Sequence, residues 1–375
     1  MFSMILPDAP ASLMAFLGIL FSFAATVTAT ALLAPFLPKD GGREFAHDGK
    51  LSQGKPRGAG IIFVLAFVMA TLLFVPLQTE MIIYMILIVI CMMTGYLDDA
   101  AKSPWGEYKK GFLDLCVAGM VAFTYLKFNG SDVDLALFDV TITLPAWLFA
   151  ILTIILVWVS VNVTNCADGV DGLSGTLTII TLLGIYALDL LRQRDEDFAF
   201  LNLLFCVAIL GYLWFNATPS KLMMGDAGSR AMGLFISIAI LKTGAPLLYV
   251  PLALVLILDG GLGLIKVSLI RFLKIHIMKN VRTPLHDHVR KNWGWSNTHT
   301  VYRFAIIQIM VCLAVLYAVR AEERRQGARV VRTWGYRRAR GLWRRGFVHT
   351  GECGRARRLW RRGGPHGRGL TVGKE

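Results

Sequence analysis

Ten apolar runs of membrane-spanning length alternate with polar connectors along this chain: residues 11–35, 58–77, 80–97, 111–128, 145–164, 173–191, 198–218, 229–247, 249–271 and 301–319. About 20 apolar residues cross a hydrocarbon core as one helix, because intrahelical bonds satisfy every backbone group there. The pattern predicts an all-α, polytopic membrane protein with about ten transmembrane helices. No small-residue cleavage site follows the first run, so it reads as an anchor rather than a removed signal. Between the fourth and fifth runs, Asp132 to Thr143 alternates acidic and apolar residues, the pattern of a short β-hairpin. No repeat is long enough to suggest an inverted-repeat transporter.

Composition agrees: 55% of the residues are hydrophobic, where soluble domains average about 45–50%. Charge changes the picture more. Of 39 Lys and Arg, 17 lie from Arg320 onward against 4 acids, so almost all of the net +14 belongs to the tail. We therefore divide the chain into an integral membrane domain, 1–320, and an Arg/Gly/Trp-rich tail, 321–375. The tail lacks apolar periodicity and is expected to be disordered or aberrant, with no part in the reaction. Its composition would suit nucleic acid, but it would lie outside the cell, so no nucleic-acid partner is expected. The six cysteines have no metal or disulfide spacing and read as small buried hydrophobes.

The basic residues of the body are sided. Lys39, Arg43, Lys50, Lys55, Arg57, Lys102, Lys109, Lys110 and Lys221 fall on the same set of connectors as the basic cluster from Arg271 to Arg303. The other set has Lys127, Arg192, Arg194 and Lys242. The positive-inside rule places the first set in the cytoplasm and the N-terminus outside. Four polar motifs lie on that cytoplasmic side.

The first motif is Asp98-Asp99 with Lys102, spaced so that the lysine reaches both acids if the helix continues. A solvated helix end explains it as well; adjacent carboxylates also suit a divalent cation or phosphate chemistry. The second is Asn162, Asn165, Asp168 and Asp171, every third residue. Nine residues at about 100° each would put its ends on opposite helix faces, so the motif must run off a helix into a loop. The third, Gly225-Asp226-Ala227-Gly228-Ser229, offers small residues for an anion at a helix N-terminus and a carboxylate for Mg²⁺, or simply a cap. The fourth, His286-Asp287-His288, has no second pair of zinc ligands nearby, and hydrogen bonding to phosphate or sugar fits it better. Within the ninth run, Asp259 precedes Gly260, Gly261 and Gly263. These suggest a bent helix, with Asp259 and Lys266 paired on one face.

Together DDAAK, NVTNCADGVDGL, FNATPSKLMMGDAGS and TPLHDH resemble the polyprenyl-phosphate N-acetylhexosamine-1-phosphate transferases over roughly residues 10–320. The histidine loop resembles the branch that moves phospho-MurNAc-pentapeptide; the sister branch uses UDP-GlcNAc. Three departures stand out. Asp287 occupies the middle of a family histidine triplet. The loop before the second run reads GKPRGAG rather than GTPTMGG, with Lys55 the candidate for a family lysine. The tail has no family counterpart.

The resemblance implies an Mg²⁺-dependent enzyme in the bacterial cytoplasmic membrane, acting on UDP-MurNAc-pentapeptide and undecaprenyl phosphate among the membrane lipids. Asp98, Asp99 and Asp226 would be catalytic. Asp226 would be the first Mg²⁺ ligand and Asn165 the second. Lys55, Lys102, Asn162, Asn165, Asp168, Asp171, His286 and His288 would bind substrate. A transporter would carry its ionisable groups near the midplane, where this chain has mainly Asp259 and Lys266. The sequence leaves a homodimer open.

Overall fold

The computed structural model describes residues 10–42, 52–101, 103, 105–138, 140–192, 194–278 and 280–344. Every apolar run becomes helix. The first eight are α1 (Ala11–Leu33), α2 (Gly60–Phe74), α3 (Thr79–Asp99), α4 (Glu107–Asn129), α5 (Ala146–Cys166), α6 (Leu173–Arg192), α7 (Glu196–Asn216) and α8 (Gly225–Lys242). The ninth run breaks into α9 (Tyr249–Leu252), α10 (Leu254–Leu256), a π turn at Ile257–Gly261 and α11 (Leu262–Leu273). After these come α12 (Leu285–Trp293) and α13 (Asn297–Arg344). Among the described residues, seven helices are long and apolar enough to cross a membrane, and the broken ninth run makes eight. The predicted hairpin is present: β1 (Asp132–Leu135) pairs antiparallel with β2 (Val140–Thr143), Asp132 facing Thr143.

The bend differs in place from the glycines that suggested it. The two halves of the ninth run meet at 71°, across Ala253. A break inside a membrane frees backbone groups that lipid cannot satisfy. Here Gln308 of α13 bonds both sides: its Nε2 donates to Leu252 O and its Oε1 accepts from Val255 N. The glycines serve close packing instead. A Cβ on Gly260 would stand 2.2 Å from Val163 O of α5.

Helix α8 is the axis of the bundle, buried on every side from Ala227 to Leu241. It packs along α3, α5 and α2. Small residues let these backbones approach, as they do between membrane helices generally. A Cβ would lie 2.0 Å from Gly228 N if placed on Gly60, 2.4 Å from Asp226 O on Gly95, and 2.5 Å from Ser160 O on Gly233. Deeper in the bundle Phe205 joins Phe67 and Phe235, with ring centroids 4.8 and 4.3 Å away.

One buried ion pair crosses this core. Arg230 of α8 meets Asp114 of α4, the two side chains 7% and 6% exposed. At the far end of α8, about 27 Å from its start at 1.5 Å per residue, the hairpin is tied down. Asp134 N donates to Gly244 O, and its carboxylate accepts from Arg192 and Arg194.

By internal contacts the chain separates into two units, Met1–Arg320 and Ala321–Glu375. Helix α13 continues past residue 320 as far as Arg344. Arg, Ala, Glu and Gln are strong helix formers, and this stretch is rich in them. Residues 345–375, Cys353 included, lie outside the described residues.

Candidate active site

Three of the four motifs meet at the N-terminal end of α8, and His286 of the fourth faces the turn that carries the second. Asp98 and Asp99 close α3, as its apolar pattern predicted. Asp226 occupies the first turn of α8 and its backbone N–H donates to Asp99 Oδ2 at 2.7 Å. Gly225, with φ +65°, makes that approach possible. A Cβ there would stand 2.1 Å from the same oxygen, and L side chains rarely adopt that φ.

Between the two carboxylates lies Arg57, which the sequence reading did not single out. Its guanidinium is 2.6 Å from Asp99 Oδ1, 3.8 Å from Asp226 Oδ1 and 3.5 Å from Asp40 Oδ1. The loop that carries it is stitched on both flanks. Arg57 N donates to Pro38 O, Met223 N to Pro56 O, and Ala59 N to Met223 O, all within 3.0 Å. The signal was there: the only charge set among the glycines of GKPRGAG besides Lys55.

The predicted Asp98–Lys102 pairing involves a residue, Lys102, outside the described residues. Lys110 of α4 pairs with Asp98. Trp105 N donates to the other Asp98 oxygen at 2.7 Å.

The second motif runs off α5 as its spacing required. Asn162 and Asn165 sit on the last turns of the helix; Asp168 and Asp171 are in the turn before α6. Asn165 Nδ2 donates to Ser229 Oγ at 3.0 Å, docking α5 on the first turn of α8. Asn162 Nδ2 donates to Trp158 O one turn back at 2.9 Å. Asp171 Oδ2 accepts from Ser220 N at 3.2 Å and lies 4.0 Å from Lys55 Nζ, which also donates to Ser220.

The histidines divide. His286 is 3% exposed, and its Nδ1 is 2.8 Å from Asp259 Oδ2. Its backbone N–H donates to Asp259 Oδ1 at 2.7 Å. Its Nε2 faces the turn between α5 and α6, where a Cβ on Gly169 would be 2.1 Å away. His288 is not brought to that point: its Nδ1 accepts from Arg282 N at 3.3 Å and its ring lies edge-on to Trp293. Asp287 stands 3.8 Å from Arg290 and 3.9 Å from Lys291.

The expected Asp259–Lys266 pair is overturned. Asp259 serves His286, while Lys266 Nζ donates to Met278 O and Val281 O. The π turn adds a residue to the helical count and turns Asp259 off the Lys266 face.

Burial alone would pull the His286 imidazole down, but the carboxylates of Asp259, Asp287 and Asp168 hold it above its ordinary value. A raised histidine pKa contributes stability below its unfolded value of about 6.5, and that contribution is lost as pH rises through the folded value. The thermal midpoint in detergent is therefore expected to fall as pH increases above about 6.5. His286→Gln should flatten the profile. An unchanged slope in that variant would remove the pair from the account.

Among the described residues no three His, Cys, Asp or Glu side chains cluster as a metal set. Mg²⁺ needs no such set: it takes one or two carboxylates and fills its other positions with water and phosphate oxygens. The oxygen donors of Asp226 and Asn165, brought to one turn of α8, fit that chemistry in kind.

Residues 81–244 match the family model described as glycosyl transferase family 4. The chain is 38% identical over 301 residues to the phospho-N-acetylmuramoyl-pentapeptide-transferase of Treponema pallidum (strain Nichols), covering 75% of this chain and 82% of that protein. It is 28% identical over 324 residues to the protein of the same name from Bacillus subtilis (strain 168), covering 80% and 96%. The Clostridium acetobutylicum protein of that name is 25% identical over 309 residues, covering 79% and 96%.

Proposed function

The chain belongs to the phospho-N-acetylmuramoyl-pentapeptide-transferase family, and on that premise we propose that it transfers phospho-MurNAc-pentapeptide from UDP-MurNAc-pentapeptide to undecaprenyl phosphate. The products are lipid I and UMP, so the step belongs to peptidoglycan biosynthesis. One observation carries the chemistry: Asp99 and Asp226, 127 residues apart, share a hydrogen bond with Arg57 between them, beside Lys110 on Asp98.

In this reaction a lipid-phosphate oxygen attacks the β-phosphorus of the donor, a new P–O bond forms, and the bond to the UMP oxygen breaks. Two anions must meet, so cations are the main requirement. Asp98 and Asp99 hold Lys110 and Arg57 in place and so present two positive groups to the phosphates. The lipid phosphate has a second pKa of about 6 and is mostly ionised at neutral pH, which leaves Asp98 and Asp99 to position rather than to deprotonate. Asp226, with Asn165 beside it, would hold Mg²⁺, whose charge when bound offsets that of the diphosphate and the departing UMP. Asp171 and Lys55 form the wall for the nucleotide or sugar. His286 offers Nε2 toward the sugar-phosphate region, its other nitrogen fixed by Asp259. A buried carboxylate on one imidazole nitrogen sets the tautomer and orients the ring.

The protein is a multi-pass membrane protein, and we place it in the bacterial cytoplasmic membrane. The site would face the cytoplasm, since the basic connectors lie at its end of the bundle and the nucleotide sugar is made there.

The experiment is UMP release by detergent-purified protein with Mg²⁺ and undecaprenyl phosphate. UMP is expected from UDP-MurNAc-pentapeptide and not from UDP-GlcNAc. Release from UDP-GlcNAc alone would overturn the donor assignment.

A further inference from the structure

The position of Arg57 is unusual for a residue whose only task is to grip phosphate. A guanidinium there spends the resting state bound to three carboxylates, Asp40, Asp99 and Asp226. These ties differ in strength. Asp99 is held at 2.6 Å and Asp40 at 3.5 Å, with Asp40 itself 5% exposed and anchored by Ser52 Oγ at 2.7 Å. Asp226 is the loosest partner at 3.8 Å, and its side chain is 21% exposed. Asp226 is also the carboxylate with the strongest claim to a cation.

Two further observations bear on this. The loop backbone is bonded to residues 38–40 on one side and 223–224 on the other, so Arg57 cannot swing away as a unit with its loop. Its Nε is buried without a hydrogen-bond partner. A buried donor without a partner is unfavourable, so this placement is one the fold maintains at a cost. Without a positive charge between them, Asp99 and Asp226 would repel each other across a few ångströms.

We propose that Arg57 is the resident counter-ion of the cation site. In the substrate-free protein it neutralises Asp226. An arriving divalent cation competes with it for that carboxylate, while Asp99 and Asp40 keep the guanidinium at the edge of the site, available to the donor diphosphate. This deepens the functional reading above and rests on its assignment of Asp226 as a metal ligand. It makes an opposed pair of effects: removing the arginine should tighten cation binding and weaken catalysis.

The test is Mn²⁺ binding to the full-length, detergent-purified protein, followed by the loss of free Mn²⁺ signal in electron paramagnetic resonance, without substrates. Arg57→Gln is expected to bind Mn²⁺ roughly fivefold more tightly or better, the effect of removing one unit charge at about 4 Å even in bulk water. Its UMP release at saturating cation should fall. Arg57→Lys retains the charge and should bind Mn²⁺ close to wild type. It also keeps the test open if the Gln variant does not fold. Unchanged or weaker Mn²⁺ binding in a folded Arg57→Gln protein would overturn the proposal, as a merely structural arginine predicts. Asp226→Asn binding Mn²⁺ as wild type does would also overturn it, by placing the cation elsewhere. That result would leave the transfer reaction standing, because donor choice is read separately by UMP release.

Discussion

Asp226→Asn should lower UMP release by about 10²–10³-fold, the range lost when one preorganised electrostatic group is removed from a reacting centre. The substitution is a narrow one. The hydrogen bond that joins α3 to α8 at this point comes from the backbone N–H of residue 226, not from its side chain. The amide therefore changes charge while the helix contact persists. Elution and thermal midpoint should stay near wild type, and the loss should appear in turnover. The Mg²⁺ concentration needed for half-maximal rate should rise, since an amide oxygen is a poorer ligand for a hard cation than a carboxylate. Full Mg²⁺-dependent turnover in this variant would remove Asp226 from the metal site.

Arg230→Met should be the most destabilising single change outside the site. Its partner Asp114 would be left charged and buried, a situation that typically costs about 3–5 kcal/mol. Asp114→Leu should cost a similar amount for the mirror-image reason, because Arg230 is buried from α8 to its head group and its Nε already lacks a partner. The double variant Arg230→Met with Asp114→Leu should recover most of the loss, since apolar replacements of a buried pair are often neutral or better. Unfolding of such proteins is commonly irreversible, so the measurement is the half-life of heat inactivation in detergent. Additive losses in the double variant would show that the two residues do not act as a pair.

Much of this architecture was legible because membrane helices announce themselves locally. A run such as 145–164 needs no partner to be read as a helix, and it appears as Ala146–Cys166. The spacing of Asn162 to Asp171 could be tested against 100° per residue without knowing what lay opposite. The alternation in Asp132 to Thr143 likewise gave the hairpin and nothing of its tie to Arg192. What stayed hidden depends on pairs far apart in the chain. Arg57 meets Asp226 only because residues 56–60 are laced to 223–224. Lys110 reaches Asp98 only because α4 folds back beside α3. Asp259 was visible as an intramembrane acid, yet its partner came from the histidine loop, 27 residues on, rather than from Lys266. A seven-residue spacing is a guide on a regular α-helix; one π turn was enough to void it. The bend at Ala253 depended on Gln308, a residue whose place in an apolar run gave no hint of what it would bond.

The glycine contacts around α8 bear on how such a protein could evade an inhibitor. A compound lodged at the first turn of α8 would meet Asp226, whose helix is seated through the buried backbone of Ala227 and Gly228 on Gly60 and Gly95. Point mutations alter side chains and leave main-chain atoms where they are. Any mutation at those glycines would push the helix that carries Asp226 and so injure the enzyme itself. Escape variants should therefore cluster at Lys55, Asp171 and the histidine loop, and a drug that takes its affinity from the α8 turn would leave resistance little room.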